Sequence, residues 1–298
     1  MGYNKTKGRK EAFPMVLDRN GKEVQESAAQ AGFLGFLYRN FFGRVLLRLF
    51  RARWVTRLMG AYMDSPLSRP RVKKALKNGL DMEGVEETHF PSYNALFTRK
   101  RKDGTFPFSD DPMDFCSPAD SRLTVYPIKE GTAFPVKLSP YTAEGLLDSK
   151  EEGAYFREGY AFVFRLCPED YHRYAFFDGG SLLSTRFVKG AFHTVNPVAL
   201  EKLPVFHRNC RQVSVLETEN FGRCAYVEVG AMMVGRIVNH DKTIFSRGEE
   251  KGYFAFGGST VVVLTGKDAV TPCEDILKNS SEGIETYVRA GETVGRGQ

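Results

Sequence analysis

Apolar residues at Leu34, Leu37, Tyr38, Phe41, Phe42, Val45, Leu46 and Leu49 recur at alternating steps of three and one, the spacing of one helix face. Arg44, Arg48 and Arg51 run along one edge of that stripe, and no acidic residue occurs between Ala28 and Met63. Such a helix suits an anionic bilayer surface, with rings and leucines in the headgroup boundary and guanidinium groups among the phosphates. A helix packed on the protein's own core has the same periodicity, so the pattern alone leaves both readings open. Nucleic acid fits less well, because arginines interleaved with large aliphatics form no separate basic face.

Beyond about Asp64 the texture changes. Ser65-Pro66-Leu67-Ser68-Arg69-Pro70 reads as a turn and Arg71 to Leu80 as one short helix. From about Phe90 onward glycine, proline and β-branched clusters punctuate short apolar runs. Tyr160 to Leu166, Gln212 to Thr218, Arg223 to Val229, Met232 to Val238 and Thr260 to Thr265 predict strands. Glu219-Asn220-Phe221-Gly222, between two of them, predicts a hairpin turn. The expected fold class is α+β, with N-terminal amphipathic helices followed by a predominantly β body. The boundary falls near residue 64, giving a basic segment 1–64 and a β-rich domain 65–298.

Charge sharpens that division. The 298 residues carry 42 Lys and Arg against 36 Asp and Glu, a net charge of +6. Residues 1–60 hold twelve of the basic and four of the acidic side chains, a surplus of eight, so the remainder sums to −2. Hydrophobic and charged fractions of 42% and 26% suit a packed core and exclude a disordered or fibrous chain. Five cysteines, an odd number without a Cys-x-x-Cys pair, disfavour a disulfide framework or a zinc ribbon and favour a reducing compartment. Met1 to Glu11 is polar and basic, so no cleavable secretory signal is expected. The uncharged stretch Ala28 to Tyr38 falls well short of the ~20 apolar residues that a spanning helix needs.

Four places could carry chemistry. Phe254-Ala255-Phe256-Gly257-Gly258-Ser259-Thr260 runs straight into Val261-Val262-Val263-Leu264. Two glycines before a strand mark a tight turn or bulge, yet glycine also lets a following serine bring its Oγ onto the preceding carbonyl. Arg165-Leu166-Cys167-Pro168-Glu169-Asp170-Tyr171-His172-Arg173-Tyr174 sets a histidine among acidic, basic and aromatic neighbours. A lone histidine is more often structural, but its ordinary pKa near ~6.5 makes it the natural proton carrier here. Cys116-Ser117-Pro118-Ala119-Asp120-Ser121 holds an aspartate that by itself reads as a turn cap. Arg208-Asn209-Cys210-Arg211 precedes Val227-Glu228-Val229-Gly230-Ala231-Met232-Met233-Val234-Gly235, whose glycines permit close backbone approach.

The order of these pieces is more specific than any one of them. Ser-Pro-Ala-Asp, Pro-Glu-Asp-Tyr-His-Arg, Arg-Asn, Val-Gly-Ala-x-x-Val-Gly and Gly-Tyr-Phe-x-Phe-Gly-Gly-Ser-Thr-Val, in that sequence, resemble the phosphatidylserine decarboxylase family over about Tyr93 to Gly266. The basic N-terminal stripe is similar to that family's membrane-binding region. The resemblance implies a barrel-sandwich-like catalytic domain in a self-cleaving proenzyme, or zymogen, whose cofactor is a covalent pyruvoyl group. It further implies decarboxylation of phosphatidylserine to phosphatidylethanolamine through a Schiff base, with no metal or diffusible cofactor.

Carried over by motif, Ser259 is the pyruvoyl precursor, with cleavage between Gly258 and Ser259 into a β chain 1–258 and an α chain 259–298. Asp120 and His172 complete the resemblance's processing triad. Family members often have a second histidine in Tyr-His-Arg-x-His; here that position is Ala175, so either His172 serves both self-cleavage and turnover or another histidine, with His193 the candidate, supplies the missing function. Ser121 replaces the usual glycine after the aspartate, and leucine, which often stands just before the glycine-serine pair, is absent. The implied partners are phosphatidylserine in an anionic membrane and the association of the protein's own β and α chains, with room for a homodimer. The implied place is peripheral, on the cytoplasmic face of the cell membrane. Two other readings stay open: an unprocessed, catalytically silent membrane-binding homologue, and a serine hydrolase using Ser259, His172 and Asp120. The second lacks the Gly-x-Ser-x-Gly elbow, since Thr260 and Val261 follow the serine.

Overall fold

A computed structural model describes residues 15–24, 53–129, 134–136, 139–190, 209–230, 236–256 and 259–298. The apolar stripe Leu34 to Leu49, His193 and the Gly257-Gly258 pair lie outside the described residues. Strand β1 (Val16–Leu17) comes first, then helix α1 (Arg53–Asp64), a single 3-10 turn Pro66–Ser68, helix α2 (Arg69–Lys77) and helix α3 (Tyr93–Phe97). Helix α2 starts two residues ahead of the expected Arg71, with Pro70 in its first turn, where a missing N–H costs nothing. It ends at Lys77 because Gly79 turns the backbone to φ +78°, a left-handed conformation that glycine adopts without strain. Ser92 caps α3 by accepting a hydrogen bond from the Ala95 N–H.

The β body follows. Strands β2 (Asp114–Cys116), β3 (Ser121–Pro127), β4 (Phe134–Val136) and β5 (Ser139–Tyr141) lead to helices α4 (Ala143–Leu147) and α5 (Lys150–Tyr155). Next come β6 (Tyr160–Leu166), β7 (Arg173–Ala175), β8 (Gly180–Val188), β9 (Arg211–Thr218), β10 (Gly222–Val229), β11 (Ile237–Asn239), β12 (Ile244–Phe245) and β13 (Glu250–Phe254). Strands β14 (Ser259–Thr265) and β15 (Val270–Pro272), helix α6 (Glu274–Ser281), and strands β16 (Glu285–Val288) and β17 (Thr293–Gly297) complete the chain. Strands β6, β9, β10 and β14 fall where apolar, β-branched runs predicted them, and Gly222 at φ +62° closes the expected β9–β10 hairpin. Of the expected strand Met232 to Val238, residues 231–235 are outside the description, and the observed strand is β11.

Nine strands form one sheet in the order β1-β16-β3-β6-β14-β10-β9-β8-β12. All neighbours are antiparallel except β1 and β16. This overturns the barrel-sandwich-like expectation. The sheet is open, and among the described residues no sheet closes on itself. Closure needs the two edge strands to pair, and here both edges, β1 and β12, are two residues long. Strands β11, β13 and β7 make a separate three-stranded sheet instead of extending the large one. The α+β character stands.

Strand β14 lies in the middle of the large sheet, and all seven of its residues are buried. Its Val-Val-Val-Leu run is what a strand covered on both faces requires, each such side chain contributing about 1.5–3 kcal/mol by burial. The β7–β13–β11 sheet covers one face: the Tyr226 ring lies 6.2 Å from both Tyr174 and Phe177. Tyr226 pairs directly with Val263, and alternation along β14 puts Val261 and Ser259 on that same covered face. Helix α6 packs at the sheet's other end, where the Val125 N–H donates to Ser280 Oγ at 2.9 Å. Residues 15–24 are tied to this region too, through β1 and through Arg19, which donates to Asp275 and to the Thr293 carbonyl at 2.7 Å.

Candidate active site

Ser259 opens β14 directly opposite Leu166, the last residue of β6. It is 0% exposed, and its Oγ has no hydrogen-bond partner among the described residues. Buried hydroxyls are nearly always bonded, so an unsatisfied one at a strand terminus asks for an explanation in chemistry. The neighbouring Thr260 Oγ1, on the opposite face of the strand, likewise has no partner among the described residues.

His172 lies between β6 and β7, also 0% exposed, with its carbonyl accepting from the Phe254 N–H at 3.0 Å. Its Nδ1 is 2.9 Å from the Asp170 carbonyl oxygen. A carbonyl only accepts, so Nδ1 carries the proton and Nε2 keeps its lone pair. Nε2 has no partner among the described residues. Burial pushes the His172 pKa down to about 3, and the nearby Arg99 and Arg122 guanidinium groups add to the fall. The imidazole is therefore neutral at physiological pH, a buried base with a free lone pair. Its ring packs on Phe97 of α3, centroids 3.8 Å apart.

Asp170 does more than lend its carbonyl. Its carboxylate pairs with the Arg122 guanidinium and accepts from the Cys167 N–H at 2.6 Å, while burial raises its pKa to about 6 against the pull of Arg122. Arg99, 2% exposed, donates to the carbonyls of Asp81, Leu96 and Asp170 at 3.1, 3.4 and 3.5 Å.

Asp120 is buried, and no hydrogen bond joins it to His172. Its Oδ2 accepts from Arg101 at 2.8 Å and its Oδ1 from the Ala290 N–H at 2.9 Å. Arg101 makes the link to the histidine loop: its guanidinium lies 4.3 Å from the Tyr171 ring centroid, and its N–H donates to Tyr171 Oη at 3.1 Å. The loop holding Asp120 also meets β7, because the Ala175 N–H donates to the Pro118 carbonyl at 2.9 Å. Ser121 fits where glycine was expected by turning its hydroxyl onto the Ala119 carbonyl at 3.3 Å. Ala175 lines a cavity of about 170 Å³ with Arg101, Tyr171, Arg173 and Ala290.

Asp120 lies just before β3, His172 follows the end of β6, and Ser259 opens β14, so strand register puts the three motifs at the same end of the sheet. Asp170 was within a quoted motif, but its partner Arg122, far off in sequence, gives no local signal. Asn94 and Phe97 were missed because a five-residue helix leaves little periodicity. Glu228 and Lys251 form a further buried ion pair on the covered face, with Asn239 Nδ2 donating to Glu228 at 3.3 Å.

Among the described residues no helix is long and apolar enough to cross a membrane. A profile of the phosphatidylserine decarboxylase family matches residues 93–296. The chain is 38% identical over 283 residues to phosphatidylserine decarboxylase proenzyme 2 of Clostridium acetobutylicum, covering 94% of this chain and 97% of the relative. It is 37% identical over 289 residues to the phosphatidylserine decarboxylase proenzyme of Ruminiclostridium cellulolyticum, covering 94% and 96%. With the Clostridium tetani proenzyme the identity is 39% over 254 residues, covering 83% and 85%.

Proposed function

The chain belongs to the phosphatidylserine decarboxylase family, and from that premise we propose that it cuts itself between Gly258 and Ser259 to make a pyruvoyl group from Ser259. The observation that carries this reading is a pair of fully buried atoms, Ser259 Oγ and His172 Nε2, that have no partner among the described residues. A serine hydroxyl is a poor nucleophile without an adjacent base, and a neutral imidazole with a free lone pair is such a base.

His172 Nε2 takes the Ser259 hydroxyl proton as Oγ attacks the Gly258 carbonyl. The amide C–N bond breaks, the proton passes to the Ser259 nitrogen, and an ester joins Gly258 to Oγ. Removal of the Ser259 Cα proton then breaks the Cβ–Oγ bond. Gly258 leaves as a carboxylate and residue 259 becomes dehydroalanine. Its imine tautomer is hydrolysed by water, releasing ammonia. Asp120 acts at one remove, holding Arg101 against Tyr171, while the Asp170 carbonyl fixes the His172 tautomer. The pyruvoyl ketone supplies the electron sink that takes up the lipid's amine and the electrons left when carbon dioxide departs. In the mature enzyme His172 is the group that returns a proton to the substrate α-carbon.

The substrate is phosphatidylserine and the product phosphatidylethanolamine, so the acyl chains stay in the bilayer and the site works at its surface. The basic segment within residues 1–64 supplies the attachment on the cytoplasmic face of the cell membrane, and residues 65–298 carry the catalytic residues, with residues 15–24 joined to their sheet through β1. Each Arg near an anionic surface contributes about 1 kcal/mol. Replacing Arg44, Arg48 and Arg51 together by glutamine is expected to weaken binding to phosphatidylserine vesicles by roughly 100-fold at low salt. The loss should shrink as salt rises; vesicle sedimentation showing unchanged binding would remove this segment's role.

Intact-mass measurement of the purified protein tests the central claim. Two pieces of 258 and 40 residues, the smaller lacking an amino terminus, are expected. One stable chain of 33.5 kDa would instead favour the silent homologue, and labelling of an uncut chain at Ser259 by an active-site serine probe would favour the hydrolase.

A further inference from the structure

Helix α3 touches both Phe256, shortly before Ser259, and the candidate base His172. Its Asn94 Oδ1 accepts from the Phe256 N–H at 3.0 Å. The Phe256 ring stands edge-on to Tyr93 and Phe97, at 5.3 and 5.5 Å, and Phe97 is the same ring that packs on His172 at 3.8 Å. One short helix therefore fixes the candidate base and the backbone three residues before Ser259.

The hydrogen bonds on either side of residues 257–258 show why this matters. Strand β13 is held by its ladder to β11 as far as Phe254, and the Ala255 N–H donates to the Arg236 carbonyl at 3.0 Å. At Phe256 the acceptor is no longer a strand but the Asn94 side chain. On the far side, Ser259 is held by its register with Leu166. Asn94 thus holds the chain at Phe256 and β6 holds it at Ser259, on either side of positions 257 and 258. Asn94 is itself oriented, because its Nδ2 donates to Asp64 Oδ1, at the end of α1, at 2.6 Å. An amide that must accept on one side and donate on the other can point only one way.

We propose that Asn94, oriented by Asp64, is a positioning residue for self-cleavage: it holds the Phe256 backbone so that the Gly258 carbonyl is presented to Ser259 Oγ. This rests on the reading that the chain cuts itself before Ser259. Small displacements of reacting atoms cost large factors in rate, so one hydrogen bond placed here has leverage beyond its own strength.

The test follows the appearance of the 258- and 40-residue pieces after synthesis of the full chain, beside thermal melting of the uncut form. Asn94→Ala is expected to slow cleavage about tenfold with little change in melting, since Asn94 is only half-buried. Asn94→Asp should also slow it, by setting two carboxylates against each other. Pairing Asn94→Asp with Asp64→Asn restores a donor facing an acceptor and should bring the rate back to within about threefold of wild type. Wild-type rates in Asn94→Ala, or a double variant no faster than Asn94→Asp, overturn the proposal while leaving self-cleavage intact. A wild-type chain that never cuts before Ser259 overturns the underlying reading, and this inference with it.

Discussion

Exchanging Ser259 for alanine leaves one uncut chain without decarboxylase activity. The variant loses only Oγ, and that atom has no partner among the described residues, so no hydrogen bond within them is broken and no donor is stranded. The alanine sits at a fully buried strand position that favours an apolar side chain, so melting at or above the wild-type temperature is expected. An uncut band in a stably folded protein would then report lost chemistry, not lost structure. Gel analysis with a carbon dioxide release assay reads both effects. Cleavage before residue 259, or decarboxylation, in this variant would end the assignment.

His172→Phe is expected to slow cleavage by roughly 10²- to 10⁴-fold, the usual worth of a positioned acid-base group. Phenylalanine keeps a ring against Phe97 and removes the Nε2 lone pair, which makes it a cleaner test than alanine, whose cavity would also destabilise the fold. The same pair of proteins gives a pH signature. His172 titrates near 3 when folded and near ~6.5 when unfolded, so between those values the unfolded chain binds the extra proton. The stability tied to a neutral His172 is complete above about pH 6.5 and is lost as pH falls toward 3. Asp170 and the other carboxylates are common to both proteins and largely cancel. Wild type should therefore lose more thermal stability than His172→Phe between pH 7 and pH 4.5. Parallel curves would show that the imidazole is not buried in its neutral form, and normal cleavage in the variant would move the base elsewhere.

The residues that were legible in the sequence are those whose role is local. Strands β6, β9, β10 and β14 could be read because apolar runs bounded by turn residues carry their own signal. Ser259, His172 and Asp120 could be singled out because each sits in a short motif whose order along the chain is distinctive. What could not be read is what joins them. Asp120 reaches the histidine loop only through Arg101 and Tyr171, and His172 takes its orientation from a backbone carbonyl, which no side-chain pattern announces. Asn94 meets Phe256 across 162 positions. The open sheet was hidden for a related reason: whether edge strands meet depends on β1 and β12, too short to show any periodicity.

The place of β14 has a consequence for what a self-inflicted break would do to the molecule. Its ladders to β10 and β6 would keep the severed C-terminal portion lodged at the centre of the sheet, with β16 set between the N-terminal strands β1 and β3 and β17 paired with β2. Before the break, folding is an intramolecular event; afterwards, recovery from denaturation requires two separate polypeptides to find each other, and so depends on concentration. Maturation would then be a one-way passage, and the working enzyme would endure by slow disassembly, without the option of starting again.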